Sequence, residues 1–436
     1  MHIAIDLGDI TTAGGLQKVS TGLAIEMHQR GHKLSCFTYS SPDSSPFFPF
    51  PDGIHFEYYP FSADRRTVLP VRSKLISCAP DLFICPTSHN NILFWAAVLF
   101  GTDIPLLYSE HSDPWKMEQE WWNKEERNAI LWAADAIHLL LPPFLESVPS
   151  HLRSKCHIIG NPVAQPEDIY SGHNPTYPPH ILSLGRLEAN KQIPLLIEAF
   201  DLVANDFPQW ELHIWGEGED EKNIYRAIER ASSANRIHCF GLTRTPHKQF
   251  SKATIFCIPS RIEGFGLVII EAFIHELPTV AFQACTAANY LINSGENGLL
   301  VPQMTAAELA HSLRSLMLDE TLRHRIGKAA KISAQAYAPQ HIYDQWEKLI
   351  YTTASHKGHT QLNKLREPAV TPIDIIAQKT LYKVFSRQNL MLKDSQIIKR
   401  FFRHHPKLKR IIKCNPLHPM KYDPVPQKRK DKTKFV

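Results

Sequence analysis

The stretch that decides the fold is SRIEGFGLVIIEAFIHELPTV, residues 260–280. It follows a short apolar run typical of a buried strand, and its glycines lead into an apolar segment, 267–274, that indicates the start of a helix. Such a helix points its first N–H groups into the crevice where α/β folds bind phosphorylated ligands. Glu263 in the loop and Glu271 about one turn into the helix would accept hydrogen bonds from ligand hydroxyls. A helix start with one solvated Glu explains this stretch equally well, so the rest of the chain must decide.

Short apolar runs alternate with helical patterns along two halves of the chain. The predicted strands of the first half are 2–7, 34–39, 80–85, 104–109, 136–141 and 156–159. Those of the second half are 181–184, 210–215, 237–240, 254–259, 279–282 and 298–301. This alternation predicts an α/β protein with two doubly wound parallel sheets and a cleft between them. A segment rich in Pro, Gly and polar residues, 161–179, predicts the linker, and residues 41–70 are expected to be irregular.

The 436 residues carry a net charge of +5, which conceals an asymmetry. Residues 357–436 hold 20 Lys and Arg against 5 Asp and Glu, a net charge of +15, whereas residues 1–356 have a net charge of −10. A basic tail on an acidic body predicts an anionic partner surface, and the apolar and basic segment 397–413 favours a membrane. A solvated, disordered tail is the alternative. Nucleic acid is not expected as a partner, because no nucleic-acid-binding motif occurs.

Eight cysteines are scattered without any CxxC pair, which excludes the usual zinc and redox frameworks and favours a reducing compartment. The amino terminus, MHIAID, has no basic segment followed by an apolar one, so no secretion signal is predicted. The longest apolar run, 92–100, is far shorter than the roughly 20 residues of a membrane-spanning helix. We therefore expect a cytoplasmic protein, peripheral at the inner face of the membrane through its tail.

Polar and glycine-rich loops follow several predicted strands at the edge that would face the cleft. The first loop contains Gly14 and Gly15, where a ligand can approach the backbone closely, and His111 directly follows another strand. Arg186 and Lys191, five residues apart in a loop of the second half, can flank a diphosphate. Cations on one loop, with helix N–H groups and carboxylates on another, describe a site for a sugar nucleotide. An ordinary turn at Gly15 and a structural His111 are the alternatives.

Five motifs then resemble one known family: GRLEANKQ (185–192), WGEGED (215–220), FGLT (240–243), EGFGLVIIEA (263–272) and ENGLLV (296–301). They resemble the retaining family 4 (group 1) glycosyltransferases of GT-B fold, over residues 1–350 and most strongly over 181–303. The resemblance implies a Rossmann-like acceptor-binding domain, 1–165, a Rossmann-like nucleotide-sugar-binding domain, 166–350, and a basic tail, 357–436. One departure is the stretch 284–293, ACTAANYLIN, where the family often has a Gly-Pro turn.

The resemblance also implies a role for each matching residue. Arg186 and Lys191 would hold the donor diphosphate, Glu263 the hydroxyls of the donor sugar, and Glu271 the ribose. His111 would contact donor sugar and acceptor, so His111 and Glu263 are the expected catalytic residues. The remaining expected donor-binding residues are Gly15, which lets the first domain approach the diphosphate, Gly266 and Leu267, whose N–H groups face the donor, and Gly241, Gly264 and Phe265.

The implied reaction is a retaining transfer from a UDP- or GDP-linked sugar to a glycan or lipid-linked acceptor. No Asp-x-Asp motif occurs, so we expect no metal and no cofactor in the transfer, with Arg186, Lys191 and the helix N-terminus replacing a metal's charge. Another GT-B enzyme, such as a sugar-nucleotide 2-epimerase, and an inactive sugar-nucleotide-binding protein are the alternatives. The sequence does not identify the donor sugar, the base, the acceptor or the linkage.

Overall fold

A computed structural model describes residues 1–60, 65–86, 89–115, 124–166, 177–362 and 372–387 of the chain. Its strands form two sheets, and every described strand pair is parallel. The first sheet has the order β3-β2-β1-β4-β5-β6-β7 and the second the order β10-β9-β8-β11-β12-β13, with strands numbered along the chain. Two doubly wound parallel sheets with a cleft between them were the predicted fold class, and this prediction is confirmed.

Most strands lie where the apolar runs predict them. The first sheet comprises β1 (His2–Gly8), β2 (Lys33–Thr38), β3 (His55–Tyr58), β4 (Leu82–Pro86), β5 (Leu106–Glu110), β6 (Ala136–Leu139) and β7 (Cys156–Ile158). The second comprises β8 (His180–Leu184), β9 (Glu211–Trp215), β10 (Ile237–Cys239), β11 (Ile255–Ile258), β12 (Thr279–Phe282) and β13 (Gly298–Val301). Strands such as β4 and β11 are buried at every residue, because helices cover both faces of a parallel sheet.

The helices connect successive strands and then continue beyond the second sheet. They are Gly15–Gln29, Arg65–Cys78, His89–Leu99, Lys124–Ala133, Ile193–Ala204, Glu221–Arg230, Pro246–Phe250, Leu267–Ile274, Thr286–Leu291, Ala306–Leu318, Glu320–Ala334, Pro339–Ala354 and Pro372–Arg387. Among these described helices, none is both long enough and apolar enough to cross a bilayer.

The structure corrects the expectation that residues 41–70 are irregular. They contain the edge strand β3 and the first residues of the helix Arg65–Cys78. No residue of β3 is fully buried, so its sequence, HFEY, lacks the continuous apolar run that marks a central strand. The helix includes Pro70 in its interior, which the sequence pattern counts as a helix breaker.

Two helices beyond the second sheet return to the first. Trp346 and Ile350 of the helix Pro339–Ala354 are buried in one core cluster with residues of β1 and β4. Asp374 of the helix Pro372–Arg387 accepts a hydrogen bond of 3.0 Å from Nε1 of Trp132. The first sheet and its helices therefore pack against two helices that the sequence prediction assigned to the second domain, 166–350, and to the tail, 357–436. The apolar and basic segment 397–413 lies outside the described residues.

Candidate active site

The two turns that carry the predicted donor ligands meet at the carboxyl edge of the second sheet. Lys191 Nζ lies 2.5 Å from Glu263 Oε1. The backbone N–H of Arg261 donates to the carbonyl of Asn190 at 3.0 Å, and Asn190 Nδ2 donates to the carbonyl of Ile262 at 2.8 Å. The turn near residue 190 and the turn near residue 265 are thus held together by backbone and side-chain contacts. The structure therefore places the two turns beside each other, and their role in donor binding stays a prediction.

The helix Leu267–Ile274 begins at this groove. Its N-cap, Gly266, has a φ of +81°, and a Cβ there would lie 2.9 Å from the Cδ1 of Ile269. Both facts favour glycine, because other residues rarely adopt this backbone conformation. The first N–H groups of the helix have no intrahelical partner and carry the positive end of its dipole. The helix start can therefore bind an anion beside Lys191.

Glu271, on the same helix, is 4% exposed, and its Oε1 lies 2.5 Å from Nζ of Lys18 in the other domain. Lys18 was not predicted as a site residue. It stands near the start of the helix Gly15–Gln29, where a cation opposes the helix dipole, and this is a signal that the sequence did contain. The ion pair joins the helix starts of the two domains across the cleft.

Two glycines allow the domains to touch beside this pair. A Cβ on Gly264 would lie 2.1 Å from the carbonyl oxygen of His111, so no other residue fits there without a shift of the backbone. A Cβ on Gly15 would lie 3.4 Å from Cδ1 of Leu267. The structure therefore brings Gly15, His111, Gly264 and Leu267 together at one junction.

A pocket lies at the carboxyl ends of β8, β9 and β11. Three other predicted residues stand at different positions relative to it. Arg186 lines it with Lys191, Trp215 and Ser260, but its side chain is 70% exposed and lies 2.9 Å from Glu188. Gly241 accepts a backbone hydrogen bond of 2.8 Å from Gly216, beside the same strand ends. Phe265 is 3% exposed and packs edge-on against Tyr337, with ring centroids 5.2 Å apart. The side chain of Phe265 therefore packs in the core, and its expected contact with the donor stays a prediction.

His111 is the end of a buried chain of three polar side chains. Its Nε2 lies 2.7 Å from Oγ of Ser109, and the same oxygen lies 2.7 Å from Nδ1 of His138. Nε2 of His138 lies 2.7 Å from the carbonyl oxygen of Ile159. The ring of His138 also packs on Trp346 of the returning helix, at 4.4 Å between centroids.

These contacts define one proton arrangement. Burial lowers the pKa of His111 to about 4 and that of His138 to about 3, so both rings are neutral at pH 7. The carbonyl of Ile159 can only accept, so His138 carries its proton on Nε2 and accepts at Nδ1 from the Ser109 hydroxyl. Ser109 has then used its only proton and must accept from Nε2 of His111. The unprotonated nitrogen of His111 is therefore Nδ1.

A buried ion pair anchors the strand end that precedes His111. Arg127 donates two hydrogen bonds, of 2.9 and 2.8 Å, to the carboxylate of Glu110, and their side chains are 0% and 3% exposed. Arg127 also donates to the carbonyl and hydroxyl oxygens of Ser147, at 3.0 and 2.9 Å. Such a bidentate pair fixes direction as well as distance, and it holds the carboxyl end of β5.

Family models match this chain on both sides of the cleft. The model described as "Glycosyl transferases group 1" matches residues 165–333, and that described as "Glycosyltransferase Family 4" matches residues 13–165. The two matches are contiguous and together span well over half of the chain. The chain belongs to the group 1, family 4 glycosyltransferases. The division between the models falls at residue 165, where the predicted first domain ends.

Several curated relatives support this membership of the family. The chain is 31% identical over 163 residues to a poly(glycerol-phosphate) alpha-glucosyltransferase of Bacillus subtilis, covering 37% of this chain and 24% of the relative. It is 28% identical over 170 residues to an uncharacterized glycosyltransferase of Haemophilus influenzae, covering 39% and 48%. The matches thus span half or less of these relatives. A third relative is a Campylobacter jejuni alpha-1,4-N-acetyl-D-galactosaminyltransferase, whose name includes a GalNAc disaccharide linked to diNAcBac-PP-undecaprenol. It is 24% identical to this chain, and the match covers 67% of this chain and 80% of the relative.

Solved structures of the family share the fold. Anabaena HepE, solved in complex with UDP and glucose, superposes with a TM-score of 0.67 over 81% of this chain and 100% of its own, at 18% identity. Sucrose-phosphate synthase from Thermosynechococcus elongatus superposes with a TM-score of 0.68 over 81% and 99%, at 19% identity. The GT-B fold that the five motifs predict is confirmed.

Proposed function

We propose that this protein is a retaining glycosyltransferase that moves a sugar from a nucleotide diphosphate sugar to a glycan or lipid-linked acceptor, in the assembly of a bacterial surface polysaccharide or glycolipid. The observation that carries the proposal is the junction of the two turns, where Lys191 and Glu263 lie 2.5 Å apart beside a helix start. Phosphates require the cation and the helix N–H groups, and sugar hydroxyls require the carboxylate. One groove offers both.

The ion pairs of this structure describe how a donor would be received. A diphosphate would compete with Glu263 for Lys191 and release the carboxylate to accept hydrogen bonds from the sugar. Glu271, which pairs with Lys18 in this structure, would likewise accept hydrogen bonds from the ribose hydroxyls of the donor. Arg186 has the exposure needed to turn toward the phosphates, because its pairing with Glu188 is at the surface.

His111 would act as a neutral hydrogen-bond acceptor. Its Nε2 proton is directed to Ser109, so Nδ1 is the nitrogen that can accept a hydrogen bond from a hydroxyl of the donor sugar or the acceptor. We propose that the acceptor hydroxyl attacks the anomeric carbon from the face on which the nucleotide departs. The C–O bond to the nucleotide breaks as the new glycosidic bond forms, and the departing phosphate oxygen takes the hydroxyl proton. The chain contributes positioning and stabilisation of the charge on the leaving group.

Relatives support the class of acceptor. The Campylobacter relative is named with a PP-undecaprenol-linked glycan, and the Bacillus relative with poly(glycerol phosphate). We propose that this chain works at the inner face of the membrane, with its basic tail on anionic lipid. A 2-epimerase would need further acid–base carboxylates in the cleft, and an inactive binding protein would not need the complete charged set.

Donor identity is tested first by thermal shift with a panel of UDP- and GDP-linked sugars, since a ligand that binds the folded state raises Tm. The stabilising donor is then incubated with lipid-linked acceptors, and NMR reads the anomeric configuration of the product. Transfer with retention supports the proposal. An epimerised nucleotide sugar identifies an epimerase, and binding without turnover identifies an inactive protein.

Lys191→Met and Glu263→Gln test the groove itself. Each is expected to abolish most transfer and to weaken donor binding. Lys331→Met is the matched control, because Lys331 pairs with Glu276 at 2.8 Å with similar exposure but outside the groove. Equal activity of Lys191→Met and Lys331→Met would refute this site.

Flotation with vesicles of anionic lipid tests the membrane partner. A chain ending at residue 387 keeps the packed helix Pro372–Arg387 and removes the basic segments beyond it. It is expected to float less than the full chain, and unchanged flotation would contradict anchoring by the tail.

A further inference from the structure

Three potential metal ligands lie on adjacent strands of the second sheet, on the face opposite its main core. Glu211 and His213 are two residues apart on β9, so their side chains share one face. His238 on β10 stands directly opposite His213 in the parallel register. Among the residues that the structure describes, this is the one group of three His, Cys, Asp or Glu side chains with converging ligand atoms.

The distances between these atoms are those of a nearly formed site. Glu211 Oε2 lies 2.7 Å from Nε2 of His213 and 3.8 Å from Nε2 of His238, and all three ligand atoms lie within 4.8 Å of one another. Ligands around a tetrahedral zinc ion, with bonds of about 2.0–2.1 Å, are separated by roughly 3.4 Å. Small side-chain movements, without a change of rotamer, would bring the three atoms to that separation.

The surroundings restrict the ligands while leaving an approach from solvent. The side chains of His213, Glu211 and His238 are 20%, 31% and 37% exposed. The ring of His180 stacks on His213 at 4.0 Å, and Phe240 packs edge-on against it at 5.1 Å. Two imidazoles and one carboxylate on hydrogen-bonded strands are a donor set that zinc prefers, with water in the fourth position.

We propose that Glu211, His213 and His238 bind a divalent cation of the zinc class. The site lies toward the amino ends of β9 and β10, whereas Arg186 and Lys191 lie at the carboxyl edge, so the ion would take no part in sugar transfer. Strand β10 is a three-residue edge strand, and a shared ion would tie it to β9. The site goes beyond the proposed function and stands whether or not that function holds.

The full chain, stripped with EDTA and dialysed, is titrated with Zn²⁺ by calorimetry and with Co²⁺ by visible absorption. We expect one saturable site with the intense d–d bands of tetrahedral Co²⁺ and without a thiolate charge-transfer band, together with a rise in Tm. His238→Ala and Glu211→Gln are each expected to weaken binding by roughly tenfold or more, since loss of even an outer-shell partner costs about 10–100-fold. His324→Ala is the control, because His324 lies 3.5 Å from Glu320 but belongs to no group of three converging ligands among the described residues.

Binding that is equally tight in the wild type, His238→Ala and Glu211→Gln would overturn the assignment, as would a wild type without a saturable tetrahedral Co²⁺ spectrum. Circular dichroism in EDTA establishes that the variants are folded. If one variant fails to fold, the other and the wild-type spectrum still decide. Because every readout is metal binding or stability, the result is independent of whether the protein transfers sugars.

Discussion

Replacing Ser109 with alanine tests whether the buried chain of side chains sets the state of His111. The Ser109 hydroxyl joins His111 Nε2 and His138 Nδ1, each at 2.7 Å. Without it, His111 can adopt either neutral tautomer and rotate, so the position of its unprotonated nitrogen is no longer fixed. Ser109 itself lies behind His111, so it would act through that ring and not on the substrate.

The magnitude follows from the two lost contacts. Two hydrogen bonds contribute about 1 kcal/mol each, and the buried Nδ1 of His138, left without a donor, costs about 1–3 kcal/mol, so a loss of stability of about 3–5 kcal/mol is expected. A tenfold fall in kcat corresponds to about 1.4 kcal/mol and is the effect expected from losing one defined tautomer and orientation. The KM for the donor should change little, because Lys191 and Glu263 remain in place.

The assay measures kcat and donor KM for the wild type, Ser109→Ala and Ser109→Thr, with urea unfolding in parallel. Ser109→Thr retains the hydroxyl and should recover most of kcat. Thr353→Ala is the matched control, because the Thr353 hydroxyl is equally buried but donates to the carbonyl of Leu349, away from His111. It should lose stability without losing kcat.

Three outcomes would refute the reasoning. One is a Ser109→Ala enzyme with the wild-type kcat per folded molecule. Another is a loss confined to donor KM, which would indicate a disturbed donor site. The third is a Thr353→Ala variant that loses kcat as strongly as Ser109→Ala, since the effect would then follow stability alone.

Three further predictions concern the contacts around the cleft. Gly264→Ala places a Cβ only 2.1 Å from the carbonyl oxygen of His111, so it should prevent the two domains from meeting at this point. Sugar transfer should fall by about tenfold or more, which corresponds to about 1.4 kcal/mol or above, with little change in Tm. Arg127→Met leaves Glu110 buried without its partner and should lower the free energy of unfolding by about 3–5 kcal/mol, measured by urea denaturation. Burial holds the pKa of His111 near 4 and that of His138 near 3 in the folded chain. Between those pH values and about pH 6.5, the unfolded chain therefore binds more protons than the folded chain. Stability is therefore full above about pH 6.5 and falls as the pH is lowered, by about 2 kcal/mol per histidine between pH 7.5 and 5.

Each of these has its own check. The double variant Arg127→Met with Glu110→Leu should recover much of the lost stability, because a buried apolar pair no longer leaves a charge alone. His138→Gln should reduce the slope of stability against pH, and an unchanged slope would mean that other groups cause it. A fully active Gly264→Ala would show that the His111 contact is not needed in the working enzyme.

Local sequence patterns predicted much of this protein because they depend on burial and on neighbours along the chain. A strand covered on both faces must be apolar throughout, so β11 and β12 could be located to within a residue or two. Edge strand β3 has no such requirement and was missed. Turns after strands must lie at one edge of a parallel sheet, and this predicted that Lys191 and Glu263 would lie at the same edge.

The sequence by itself thus determined the two parallel sheets, the family, and the edge of the second sheet at which Lys191 and Glu263 lie. Only the tertiary structure paired Lys18 with Glu271, 253 positions away, and returned the helix Pro339–Ala354 to the first sheet. It also aligned His111, Ser109 and His138, whose protons can be assigned only once their partners are known. The physical reason is that contacts between distant segments depend on how whole strands and helices are placed, and no local periodicity encodes that placement.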